Sequence, residues 1–148
     1  MTSNAILDRV FTTLKAEERD DLFEKAGRLT FGLGDVIIKE GAKIESFYIV
    51  AKGEVRVTRN VDGTVNAEFV GPRGPGEPLG EMSFIDGLGA SATLIADGDV
   101  EIFAIPGPAI SKMMEAESTF AGRFYHSVLL TMSRRLRDTN ARVLPPST

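Results

Sequence analysis

The chain has 148 residues, 43% hydrophobic and 26% charged, with 17 Lys and Arg against 21 Asp and Glu for a formal net charge of −4. It has no cysteine and one histidine, His126, which excludes thiolate metal sites, redox disulfides, cysteine nucleophiles and multi-histidine metal cages. The acidic balance argues against a module that grips nucleic acid through a basic face, and the length suits one domain, residues 1–148, that builds a core without a covalent staple.

The chain begins with helical spacing. Ile6, Leu7, Val10, Phe11 and Leu14, then Leu22, Phe23 and Ala26, recur at three- and four-residue intervals, so residues 4–31 are expected to hold N-terminal helices. The charged run Lys15 to Asp21 reads as the solvated start of the second helix, with carboxylates favoured near its N-terminus. Met1 to Val10 mixes acid and base, unlike a signal peptide, and no apolar run approaches the ~20 residues needed to span a bilayer. A cytoplasmic domain without a membrane segment is expected.

From residue 32 to 105 the texture becomes short β-rich runs, among them Ser46 to Val50, Glu54 to Thr58, Val65 to Val70, Ala92 to Ala96 and Val100 to Ile105. Glycine turns separate them, which means a barrel or sandwich. Asp62-Gly63 has the chemistry of a tight hairpin turn. Helical spacing returns over 106–143, opened by Pro106 and Pro108. The last helix carries a stripe of Tyr125, Val128, Leu129, Met132, Leu136 and Val143, with Arg134, Arg135, Arg137 and Arg142 mostly off it as a solvated face. His126 on that helix reads as a surface or packing residue, and Met113, Met114 and Met132 as apolar filler.

One segment breaks the strand-and-turn pattern, running from Pro75 to Thr93. A glycine-rich approach leads to Glu81 to Ile85, too short for a full helix and cut by Asp86-Gly87. A single exposed helical turn presents unpaired N–H groups and a dipole suited to an anion such as phosphate. Gly80 lets the backbone approach a ligand, Glu81 accepts hydrogen bonds from sugar hydroxyls, and Ser91 adds a hydroxyl from the other side of the loop.

At these residues the chain resembles the cyclic nucleotide-binding domain family, the sensor of catabolite-activator-type transcription factors, protein kinase A regulatory subunits and gated channels. One signature is Val36-Ile37-Ile38-Lys39-Glu40-Gly41 followed by Phe47 to Val55 with its Lys52-Gly53 turn; the other is the phosphate-binding cassette, Leu79-Gly80-Glu81-Met82-Ser83-Phe84 running to Ala90-Ser91-Ala92-Thr93-Leu94. The resemblance spans about Asn4 to Val143 and implies an α+β, mainly β fold: a jelly-roll β-barrel over 32–105, with the cassette at 79–94, flanked by the N-terminal helices and a long C-terminal helix. It further implies that Gly80 and Glu81 hold a ribose, that the N–H groups of Met82, Ser83 and Phe84 line a phosphate, and that Ser91 and Ala92 close the cassette. Thr139 and Asn140 fall where relatives contact the base. The implied ligand is cAMP or cGMP, with no cofactor or catalysis, and the final helix implies a homodimer.

The chain departs from the family where an arginine usually pairs with the cyclic phosphate, because Ala90 stands there. Such a charge-assisted bond is worth roughly 1.5–3 kcal/mol, or about 10- to 150-fold in affinity. Arg73, in the Gly71-Pro72-Arg73-Gly74-Pro75 insertion, is within chain reach of the cassette but reads most simply as a solvated loop residue. Two functions remain open at this point. One is a sensor that binds a small anionic ligand and shifts the final helix; the other is a binding-incompetent relative that serves as a dimerisation or docking module. Since Pro145-Pro146-Ser147-Thr148 follow that helix, no DNA-binding domain is expected in this chain, and the output is expected to pass to a downstream protein.

Overall fold

The computed structural model describes residues 3–61, 64–66 and 72–143. Helices α1 (Ser3–Val10) and α2 (Ala16–Lys25) lead into strands β1 (Gly27–Phe31), β2 (Val36–Ile38), β3 (Ser46–Lys52), β4 (Val55–Val61), β5 (Thr64–Asn66) and β6 (Pro78–Leu79). A short helix, α3 (Glu81–Asp86), precedes β7 (Thr93–Ala96) and β8 (Val100–Pro106), and the chain closes with α4 (Gly107–Ala116) and α5 (Ser118–Val143). Among the described residues no helix is long and apolar enough to cross a membrane.

The strands form two antiparallel four-stranded sheets, β1-β8-β3-β6 and β2-β7-β4-β5. This is the jelly-roll arrangement expected, with one correction: the sheets are not closed into a barrel. A second correction falls at the N-terminus, where residues 27–31 are not helical but form β1, paired with β8 from Gly27↔Ala104 to Phe31↔Val100. Four of the five β1 residues are exposed, so this edge strand lacks the buried alternation that marks a strand in sequence. The expected hairpin is framed by the pair Val61↔Thr64, while its turn residues, Asp62 and Gly63, and residues 67–70 of the expected Val65 to Val70 run lie outside the described residues.

Strands β3 and β8 are buried on both faces, and their period of two divides the interior. Val50, Val100 and Ile102 point into the space between the sheets, where they pack with Val55, Val57, Leu79, Leu94 and Ala96. Phe47, Ile49, Phe103 and Ile105 point the other way, into a helical layer built on Leu7, Phe11, Leu22, Ile110, Phe120 and Phe124. Phe124 of α5 is fully buried; its ring centroid lies 5.5 Å from Phe11, 5.6 Å from Phe47 and 6.3 Å from Phe84. The aromatic cluster thus joins Phe11, just beyond α1, to β3, α3 and α5. It fixes the root of α5 against the sheet.

Polar contacts reinforce that root. Arg123 donates from Nε to Glu18 Oε1 at 3.0 Å and from its terminal nitrogen to Oε2 at 2.6 Å, a bidentate pair between α5 and α2. Thr13 donates its backbone N–H to the hydroxyl of buried Ser127 at 3.0 Å. At the start of α2, Glu18 also accepts from the Lys15 backbone N–H at 2.8 Å. The hydrogen bond from Arg123 is the main reason that the Glu18 carboxyl lies below its ordinary value of 4.5, against an opposing push from burial.

A carboxylate with a lowered folded-state pKa contributes stability that is present above its unfolded value and lost as pH falls through the folded one. Glu18→Gln should therefore lower the melting temperature at pH 7 by about 2–4 °C. The gap from wild type should close as pH falls below 4.5. A gap unchanged between pH 7 and pH 3 in thermal melts would show that the ionised pair is not what Glu18 contributes.

Candidate functional site

The segment from Leu79 to Thr93 is shaped by a few close backbone approaches. Gly80 caps α3 with φ +68, a left-handed conformation that side-chain-bearing residues rarely adopt. At Gly89 a Cβ would stand 2.6 Å from the Gly41 carbonyl oxygen, so only glycine lets the loop lie against the β2–β3 connection. Ala90 is pinned there on both sides: its N–H donates to Ala42 O at 2.8 Å, and its carbonyl accepts from Gly41 N–H at 2.7 Å. Inside the loop the Ser83 hydroxyl donates to Gly89 O at 3.1 Å.

Between α3 and this loop lies a cavity of about 90 Å³. Seven of the sequence-derived residues line it together: Gly80, Glu81, Met82, Ser83, Ala90, Ser91 and Ala92. Phe84 does not. Its N–H donates to Gly80 O at 3.0 Å, the first bond of α3, and its ring turns away to pack edge-on against Phe47 at 5.6 Å. The N–H groups of Met82 and Ser83 precede that first intrahelical bond, so they are the ones left for a ligand. Thr139 is drawn to the neighbourhood without entering the cavity: it lines an adjoining polar pocket of about 180 Å³ with Glu77, Arg134 and Asp138. Asn140 is exposed on α5 and lines none of these spaces.

The main correction concerns α5. Arg135, expected on a solvated face, reaches into the cassette, where its side chain is 14% exposed. One terminal nitrogen donates to Glu81 Oε1. The other donates to Glu77 Oε2 at 3.2 Å and to the Pro78 carbonyl oxygen. Its Nε is buried without a hydrogen-bond partner. Glu81 is itself 7% exposed along its side chain, so each charge is tolerable in this setting because the other is present. Arg134 is more open and reaches Glu77 at 3.3 Å.

Arg135 follows Phe120, Phe124, Val128 and Thr131 on the buried face of α5, at intervals of three and four. That periodicity was present in the sequence, but the expected stripe was rotated from it. Of the stripe's residues Val128 is buried, whereas Tyr125, Leu129 and Leu136 are 41%, 61% and 61% exposed. Met82, Leu129, Met132 and Leu136 line an open apolar groove of about 520 Å³ beside the cassette. Arg73 is the second correction. It is half-buried and lines the cassette cavity, the polar pocket and the apolar groove. His126 is exposed on α5.

Comparison with known proteins agrees with this geometry. The family model for the cyclic nucleotide-binding domain matches residues 28–117, well over half of the chain, and the chain belongs to that family. A cyclic nucleotide-binding domain from Methylobacillus flagellatus superposes with a TM-score of 0.83 at 18% identity, covering 99% of this chain and 86% of that one. The catabolite activator protein of Thermus thermophilus gives 0.73 at 28% identity, over 90% of this chain and 60% of its own. The regulatory domain of Toxoplasma gondii PKA, solved with cAMP, gives 0.68 at 21% identity, over 74% of this chain and 42% of its own. The family is one of regulatory ligand-binding domains.

Proposed function

We propose that this domain is a regulatory sensor that binds cAMP, cGMP or another small anionic ligand at the 79–94 cassette and reports occupancy through α5. The observation that carries this reading is the ion pair between Arg135 of α5 and Glu81 of the cassette. In the proposed complex Gly80 and Glu81 hold the ribose, the N–H groups of Met82 and Ser83 face the phosphate, and Ser91 and Ala92 close the loop. Thr139 stands toward the base. A cavity of about 90 Å³ is small beside the ~300–1,000 Å³ typical of ligand pockets, so a nucleotide would have to extend into the adjoining groove and displace Arg135. Ribose hydroxyls would then donate to Glu81 in place of the guanidinium. Ligand would favour the population in which α5 has moved, by as much as it binds that state more tightly.

With alanine at position 90 the expected affinity is weak, in the range of roughly tens to hundreds of micromolar. Calorimetric titration with cAMP and cGMP is the test. Measurable wild-type binding that tightens by about 10-fold or more in Ala90→Arg supports the sensor. Heat from the variant alone would favour the docking module instead, and heat from neither would remove the cassette as a site.

The exposed side of α5 supports a second element of the proposal. Tyr125, Leu129, Met132 and Leu136 are spaced four, three and four residues apart, the interval of a two-helix seam. We take this stripe as the face of a homodimer. Light scattering at tens of micromolar should then give twice the chain mass of 16.0 kDa. A monomeric mass would contradict it.

A further inference from the structure

We infer that Glu77 is a positioning residue for α5: when Arg135 leaves Glu81, Glu77 receives its guanidinium, and the far half of the helix moves to a second fixed position instead of coming free. This rests on the sensor reading above for the event that releases Glu81, and it states how the helix responds to that event.

Glu77 is already the point on which α5 converges. Adjacent residues of a helix diverge by about 100° around its axis. Arg134 and Arg135 nevertheless both reach Glu77, and both use the same oxygen, Oε2, at 3.3 and 3.2 Å. The backbone beneath that carboxylate is built into the sheet: Gly76 N–H donates to Val50 O at 2.8 Å, Val50 N–H donates to Glu77 O at 3.0 Å, and the next residue, Pro78, pairs with Ile49. Val50 and Ile49 are fully buried. Asp138 lines the same polar pocket, but it rides on α5 and cannot tie that helix to the cassette. Glu77 and Glu81 are thus the carboxylates outside α5 that Arg135 meets among the described residues.

The guanidinium also holds a donor in reserve. Nε of Arg135 is buried without a partner, and it lies on the same edge of the planar fork as the terminal nitrogen that reaches Glu77. A carboxylate that met this edge squarely would accept from both nitrogens. On the same helix Arg123 makes that contact: its Nε donates to Glu18 Oε1 at 3.0 Å and its terminal nitrogen to Oε2 at 2.6 Å. Turning Arg135 from Glu81 toward Glu77 keeps the bond to Oε2 and gives Nε the other oxygen, while the nitrogen that leaves Glu81 faces the opened pocket. The charge stays compensated throughout, which a largely buried arginine requires. Glu77 suits this role because its side chain is 29% exposed, against 7% for Glu81, so it tolerates its charge with Arg135 in either position.

The test is a distance measurement on the full chain without ligand, with spin labels on Leu33→Cys and Arg137→Cys, two exposed positions, and thermal melts to show that each variant is folded. Glu81→Met keeps the side chain's length and removes its acceptor; it should displace the distance distribution by about 2 Å or more and leave it narrow. Adding Glu77→Gln should make the distribution broad, and Glu77→Asp in its place should restore much of the narrowness, because charge and not size does the holding. An undisplaced or broad distribution in Glu81→Met would overturn the inference, and so would a double variant as narrow as Glu81→Met alone. Should the double variant not fold, salt decides: at about 1 M, where charges are screened beyond about 3 Å, Glu81→Met should broaden, and an unchanged width would overturn the inference. Calorimetric titration of the wild type with cAMP runs beside these measurements. Absence of binding would remove the sensor reading while the ligand-free variants still decide the role of Glu77, so the two fail separately.

Discussion

The ion pair between Arg135 and Glu81 ties the far half of α5 to the cassette. Glu81 belongs to a six-residue helix whose position is set by the sheet, and Arg135 belongs to a helix of 26 residues that otherwise runs past it. Both side chains are largely withdrawn from water. Neither could be left there alone without a large desolvation cost, so the pair holds α5 against the cassette for as long as nothing else satisfies Glu81. In the proposed complex a ligand hydroxyl that donates to Glu81 would change that balance directly. In the proposed sensor, this pair is where filling the pocket would act on the helix.

The rest of the structure divides α5 into a densely packed root and an end with fewer buried contacts. At the root, Phe124 lies among Phe11, Phe47 and Phe84, Arg123 is clamped to Glu18, and buried Ser127 is bonded to Thr13. Arg135 lies 12 residues beyond Arg123, about 18 Å along the helix axis. Over that stretch the buried contacts thin from phenylalanines to Thr131 and then to the ion pair itself. In the proposed sensor, motion would fall at this far end of α5, next to the exposed apolar stripe. Phe84 adds a mechanical connection, since it leaves the short cassette helix and touches Phe124 directly.

Much of the fold was legible because its determinants are local. Short β-rich runs broken by glycine, and three-to-four spacing at both ends, describe two sheets and their flanking helices. The strand at 27–31 was not legible, because an edge strand with little burial leaves no alternation in its composition. In the cassette, Gly80, Glu81 and Ser91 were legible as residues of one cavity, since the turn, the carboxylate and the hydroxyl have chemistry tied to their own identities. Phe84 was misjudged because its side-chain packing and backbone bond are set by neighbours far away in sequence, Phe47 and Phe124 among them. The arginines were hardest. On a helix with apolar residues on two faces, composition did not say which face turned inward, and Arg135 went with the wrong one. Arg73 was hidden by the proline and glycine around it, although its backbone pairs with Val55 in the manner of a strand.

A cysteine-free chain allows a direct look at α5, because introduced cysteines can be labelled without background. The most direct test places spin labels at Leu33, an exposed loop residue on the sheet side, and at Arg137, exposed near the far end of α5, and measures their separation by pulsed electron resonance with and without saturating cAMP. A shift of about 2 Å or more in the distance distribution on binding, reproduced without ligand when Arg135→Gln releases the ion pair, is the expected result. A distribution that stays the same with cAMP bound would contradict the account, for it would mean that the pocket fills while α5 does not respond.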